Sequence, residues 1–236
     1  MRKTKILAFL FIGLSSFVKA EILLTDSFEN GALDSSKWDV FLPNGNSSVS
    51  VQEGYLKAIN RGTLISKNEF NSPYKISGSF RTQNLYYDLT TITLRSSGLL
   101  PSGVSWGLVE GIAIEIWSDG YYITPYQFGA NAGSPTEYRP SVPIYDNVPY
   151  NFQIIDTGNT FSVIINDQLI FTEATTFTTG GKIAFSSRES WTNNGETTNG
   201  HSDLLAIQIE SIPEPSSVSL LAVGLGGLAV MRRRRS

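Results

Sequence analysis

The chain has 236 residues, with 18 Lys and Arg, 21 Asp and Glu, one histidine, no cysteine and a formal charge of −3. The absence of cysteine excludes disulfides, thiolate metal centres and a cysteine nucleophile together, and a single histidine falls short of most metallohydrolase centres. The charge is uneven: residues 21–215 hold ten basic side chains against twenty-one acidic ones, a net of −11. That argues against nucleic acid as a partner, and an anionic polysaccharide would need a local basic patch or bridging cations.

In chain order, the first element is a leader. Arg2, Lys3 and Lys5 precede an apolar stretch from Ile6 to Val18, and Val18-Lys19-Ala20 has short residues at the usual cleavage spacing. This is the layout of a secretory signal peptide, with the cut expected after Ala20. The absence of cysteine then leaves an exported body without staples, and about 195 residues can bury enough core without them.

The body shows no sustained helical period. Short runs rich in Ile, Val, Thr and aromatics alternate with turn residues, which predicts an all-β domain over residues 21–212. The predicted strands are Ile22 to Phe28, Val49 to Ile59, Tyr74 to Thr82, Thr91 to Arg95, Gly111 to Ser118, Tyr121 to Phe128, Tyr150 to Asp156, Thr160 to Ile165, Gln168 to Glu173, Lys182 to Ser187 and Leu204 to Ile212. So many strands in one domain require two packed antiparallel sheets, a β-sandwich.

Asp119-Gly120 predicts a two-residue hairpin turn. Pairing outward from it sets Trp117 opposite Tyr122, Glu115 opposite Thr124 and Ala113 opposite Tyr126 on one face, with Ile116 opposite Ile123 and Ile114 opposite Pro125 on the other. The isoleucine face is the core face. Trp117, Tyr122, Tyr126 and Glu115 then share the far side, where rings suit the apolar faces of sugars and an acid suits their hydroxyls. The same aromatics under a long loop would only fill a core. Trp191 is expected in a polar loop, exposed, as a further sugar contact, whereas Trp38 and Trp106 are expected to pack. His201 sits among turn formers and is expected in a loop.

The run YNFQIIDTGNTFSVIINDQLIF, with turns at Asp156 to Asn159 and at Asn166-Asp167, predicts a three-stranded meander. It resembles laminin-G and concanavalin A-like domains, as does the opening DSFENGALDSSKWDV with Asp26, Phe28, Leu33 and Trp38. The resemblance implies a jelly roll. By analogy with related jelly rolls, a structural calcium ion could bridge loop acids such as Asp26 and Asp203, but no ligand-spaced acidic loop is visible and no metal or cofactor is expected. Such sandwiches also include laminarinase-type glycoside hydrolases, which carry two glutamates flanking an aspartate on one strand. Here Glu115-Ile116-Trp117-Ser118-Asp119 has tryptophan in the middle place, and Glu110 and Glu115 are an odd number apart, which in a regular strand sets them on opposite faces. No catalytic residue is assigned on these grounds. The body is expected to be non-catalytic and glycan-binding, or part of an extracellular matrix. A polysaccharide-degrading enzyme with an acid pair from separate strands, or a purely structural surface protein, is the alternative.

The chain closes on PEPSSVSLLAVGLGGLAVMRRRRS. Its apolar run, Val218 to Met231, would be about 21 Å long as a helix against a hydrocarbon core of about 30 Å. Arg232, Arg233, Arg234 and Arg235 beside it would stay cytoplasmic, leaving the body outside. Pro213-Glu214-Pro215, apolar run and arginine cluster in that order resemble the PEP-CTERM sorting signal of Gram-negative bacteria. The resemblance implies transient inner-membrane insertion of residues 213–236, recognition and removal of the tail by an exosortase, and delivery to the cell surface or its exopolysaccharide.

Overall fold

In the computed structural model, the described residues are 19–43, 45–82, 89–96, 111–117, 123–128, 138, 144–145, 147–175, 180–187, 191–193, 196–198 and 200–213. Within Glu21–Ser211 they form one compact unit. The leader to residue 18 and the tail from Glu214 lie outside the described residues. Among those described, no helix is long and apolar enough to cross a membrane.

The elements are strands. In chain order they are β1 (Ile22–Asp26), β2 (Trp38–Phe41), β3 (Ser48–Gln52), β4 (Tyr55–Ile59), β5 (Thr63–Ser66), β6 (Tyr74–Thr82), β7 (Leu89–Ser96), β8 (Gly111–Trp117), β9 (Ile123–Phe128), β10 (Tyr150–Asp156), β11 (Thr160–Ile165), β12 (Gln168–Ala174), β13 (Lys182–Ser187), β14 (Trp191–Asn193), β15 (Glu196–Thr198) and β16 (His201–Ser211). One sheet runs β12-β11-β10-β6-β16-β4-β3, with β1 also on β16; the other runs β2-β5-β13-β7-β8-β9. The pairings between named strands are antiparallel. The expected two-sheet sandwich is therefore the architecture observed.

Period-two alternation builds the core. Tyr74, Ile76 and Phe80 of β6, Phe152 and Ile154 of β10, and Phe161 and Val163 of β11 face Leu64, Ile92, Leu94, Ile112, Ile114, Ile116 and Phe185 of the other sheet. On β16 the inward residues Leu204 and Ile207 are an odd number apart, and the register shift between Leu204 and Ala206 keeps both in the core.

The β8–β9 hairpin has the predicted register, with Ile116 opposite Ile123, Glu115 opposite Thr124, Ile114 opposite Pro125 and Ala113 opposite Tyr126. The meander of β10, β11 and β12 also matches prediction, with Asn166 and Asp167 at φ of 45° and 64° making a two-residue turn. The single strand predicted over Val49 to Ile59 is instead two. Glu53 and Gly54, at φ of 52° and 81°, turn β3 back onto β4.

The opening segment is latched by a carboxylate. Asp26 Oδ1 accepts the Phe28 N–H at 3.0 Å, and Oδ2 accepts the Trp38 indole N–H at 2.8 Å. Trp38 is buried against Phe28, as its packing role requires. Trp106 lies outside the described residues.

Candidate functional site

Because Ile112, Ile114 and Ile116 of β8 point into the core, Gly111, Ala113, Glu115 and position 117 fall on the outer face of the six-stranded sheet. Successive registers align a row across that face: Phe41 on β2, Thr63 on β5, Ser186 on β13, Thr91 on β7, Glu115 on β8 and position 124 on β9. The neighbouring row is Asp39, Ile65, Ala184, Thr93, Ala113 and position 126. Glu115 is 4% exposed, and Thr63, Thr91, Thr93 and Ser186 are buried as well. The middle of this face is thus a buried carboxylate among hydroxyl and methyl groups.

Gly111, which opens β8, is a position that glycine alone fits. Its φ of +146° disfavours any residue with a Cβ, and a Cβ there would lie 2.5 Å from the Leu94 carbonyl oxygen.

The sequence-predicted residues are partly gathered here. Glu115 is on this face, and positions 117 and 126 belong to it by register. Tyr122 lies outside the described residues, as do Glu110 and the Asp119-Gly120 turn. Trp191, expected in a loop, instead opens β14, paired with β15 in a separate two-stranded sheet. Sequence reasoning missed Thr91, Thr93 and Ser186, because alternating Thr and Ser in a strand signals only a half-polar face.

Two further charged clusters lie apart from this site. His201, expected in a loop, begins β16, and its Nε2 is 2.8 Å from Asp203 Oδ1. Asp203 Oδ2 accepts Arg81 Nε at 2.9 Å and Nη2 at 2.7 Å, while the guanidinium lies 4.8 Å from the Tyr55 ring centre. Burial opposes the ionisation of Asp203, but the bonds from His201 and Arg81 outweigh it and hold the carboxyl below its ordinary range. The carboxylates weighed for calcium are thus engaged elsewhere, Asp26 by N–H donors and Asp203 by Arg81 and His201. Among the described residues, no group of three His, Cys, Asp or Glu is placed to hold a metal ion.

The second cluster ties Arg95 to Asp156. Burial again opposes ionisation of Asp156, and Arg95, the Gly158 N–H and Ser72 outweigh it and lower its pKa. Tyr74 is pushed well above its ordinary value, first by burial and then by the Asp156 charge.

Comparison with known proteins places both parts of the chain. The PEP-CTERM protein-sorting motif matches residues 211–235, from the last residue of β16 through the arginine cluster. No curated protein sequence matches the chain. Among solved structures, an endo-β-1,3-glucanase from Pyrococcus furiosus superposes with a TM-score of 0.64 at 12% identity, covering 83% of this chain and 95% of its own. SCLam, a non-specific endo-β-1,3(4)-glucanase from family GH16, gives 0.62 at 11%, covering 81% and 91%. A Bacillus licheniformis β-glucanase gives 0.58 at 15%, covering 80% and 98%.

These neighbours correct one expectation. The failed acidic motif led to the expectation of a non-catalytic body with no catalytic residue; the solved structures that share the fold are glucan-cleaving enzymes, and the expectation of a non-enzyme does not stand. The PEP-CTERM motif implies export, cell-surface sorting and processing by an exosortase. The chain therefore carries a C-terminal PEP-CTERM sorting motif behind a concanavalin A-like body with the jelly-roll fold of the GH16 glucanases.

Proposed function

We propose that the body is a polysaccharide-degrading glycoside hydrolase, sorted by its tail to the surface or exopolysaccharide of a Gram-negative bacterium, with Glu115 as one of its two working acids. The observation that carries this reading is the position of Glu115: a buried carboxylate at the middle of the outer sheet face, in a fold whose solved relatives cleave glucans. Glycoside hydrolysis needs one carboxyl group to protonate the leaving oxygen and a second to attack the sugar or activate water.

Glu110 is the candidate for the second acid. Its odd spacing from Glu115 argues for opposite faces only if the strand is regular throughout. Gly111, between them, sits at φ +146°, outside the regular strand conformation that this spacing rule assumes. The acid pair is then non-standard, because Ala113 stands two residues before Glu115 where an aspartate would lie between two glutamates.

The test is release of reducing ends by the full chain from β-1,3-glucan, mixed-linkage β-glucan and the producer's own exopolysaccharide. Turnover of at least one, lost in Glu115→Gln with an unchanged circular dichroism spectrum, is expected. Turnover that persists in Glu115→Gln would remove Glu115 from the chemistry, and silence across the panel would overturn the enzyme.

A further inference from the structure

Among the described residues, three buried hydroxyls have no hydrogen-bond partner: Tyr74 Oη, Thr93 Oγ1 and Ser187 Oγ. A buried hydroxyl left unpaired is destabilising relative to an apolar group of the same shape, so each one calls for a cause. Tyr74 lies beside the Asp156 carboxylate in the core between the sheets. Ser187 is opposite Thr90, whose hydroxyl bonds Ser202 of the other sheet, so it faces inward. Only Thr93 lies on the outer face that carries Glu115.

Its surroundings are small. Thr93 is 1% exposed, and its register partners on either side are Ala113 and Ala184. A Cβ on Gly111 would lie 3.0 Å from Thr93 Cγ2, so the methyl group of Thr93 is turned toward the backbone of Gly111. Thr91, two residues earlier on the same face, is the register partner of Glu115. A valine would keep the methyl contact and remove the unpaired hydroxyl. The threonine therefore retains a polar atom, in the row next to that of Glu115, that none of the described groups uses.

We propose that Thr93 Oγ1 is a substrate-positioning group, hydrogen-bonding a sugar hydroxyl of the polysaccharide while Glu115 works on the neighbouring glycosidic bond. The inference rests on the glycoside hydrolase reading of this face. A site that pairs with a substrate hydroxyl discriminates strongly once either partner is lost, because the other is left buried and unpaired.

The experiment compares Thr93→Val, Thr93→Ser and Glu115→Gln in the full chain on whichever glucan of the panel the protein cleaves. It adds isothermal titration of laminari-oligosaccharide into Glu115→Gln and into Glu115→Gln/Thr93→Val. Thr93→Val should melt at the same temperature or higher, yet lose about tenfold or more in kcat/KM and in oligosaccharide affinity, as expected for one buried hydrogen bond. Thr93→Ser should stay within about threefold of the parent, since it restores the hydroxyl. Thr93→Val with kcat/KM and affinity unchanged, while Glu115→Gln is inactive, would overturn the role of Thr93 and leave Glu115 in place. A fall in melting temperature matching the loss of activity, or failure of Thr93→Ser, would mark the residue as structural and overturn it equally. Full activity in Glu115→Gln would remove the hydrolase reading of this face and the inference with it.

Discussion

Arg95 at the end of β7 and Asp156 at the end of β10 join the two sheets through a doubly hydrogen-bonded ion pair, Nε to Oδ2 at 2.7 Å and Nη2 to Oδ1 at 2.5 Å. The side chains are 2% and 0% exposed. The pair is further enclosed, since Arg95 Nη2 also donates to Ser72 Oγ and to the Gly158 carbonyl, and the Gly158 N–H donates to Asp156 Oδ1. Its place between sheets makes it a clamp across the core and not a surface pair.

Removing one partner from such a pair leaves the other charge buried, at a cost of about 3–5 kcal/mol. Asp156→Asn should therefore lower stability by about 3 kcal/mol, with a fall in melting temperature of about 6–12 °C for a domain of this size. Replacing both partners, as in Arg95→Met/Asp156→Leu, should cost less than the single change, because no stranded charge remains. Urea unfolding of the three proteins measures the difference. Equal losses in the single and double variants would show that the shape of the network, and not its charge, holds this end together.

The two buried carboxylates set an acid limit. Asp156 and Asp203 both have pKa values lowered in the folded protein, so in the unfolded chain they take up protons at higher pH. Their contribution is fully present above about pH 4 and is lost as pH falls through the folded-state values. Unfolding free energy should decline steeply below about pH 4, and Asp203→Asn should show a shallower decline. A pH series of urea midpoints tests this, and parallel slopes for parent and variant would remove Asp203 from the acid transition.

Gly111 links stability to the site. Ala at this position must adopt a φ near +146° and place its Cβ 2.5 Å from the Leu94 carbonyl oxygen, a backbone atom that cannot turn aside. Gly111→Ala should cost about 1–3 kcal/mol from strain alone. Because Gly111 opens the strand that carries Glu115, the hydrolase reading expects glucan turnover to fall by more than the loss of folded protein explains. Turnover per folded molecule equal to the parent's would separate the Gly111 conformation from the chemistry.

How much of this was legible depends on what fixes each feature. The β8–β9 register could be read because Asp119-Gly120 sets a turn length and three isoleucines choose the face, two local signals that agree. The β3–β4 hairpin was hidden, since Val51, Tyr55 and Leu56 around Glu53-Gly54 read as one continuous strand. β2 and β5 are four residues each and bury through partners far away in sequence, which no local pattern reports. Glu115 stood out as a charge within an apolar strand. Thr93 did not, because its meaning lies in an absent partner, and that is a property of packing alone. Trp191 and His201 were misplaced for the same reason: Gly and Asn around them signal turns, while the strands they open are made by pairing with Thr198 and with Ile59.

The Glu21 N–H donates to Ser211 Oγ at 2.9 Å, the Ser211 N–H donates to the Glu21 carbonyl at 2.9 Å, and β1 pairs with β16 from Ile22 opposite Glu210 onward. A cut after Ala20 leaves every one of these bonds intact, because a new α-ammonium group still donates to the Ser211 hydroxyl. The expected surface form therefore begins at Glu21 and is folded, and it lacks the tail beyond the Pro213-Glu214-Pro215 region. Intact mass and terminal peptides of surface material would show both ends. An Arg232 to Arg235 peptide in that material would mean the tail is retained as an anchor, and replacement of Pro213 and Pro215 by alanine should produce that retained form if an exosortase reads the motif. A surface form starting upstream of Glu21 would instead place the leader cut elsewhere and leave β1 with an extension at its exposed Ile22 end.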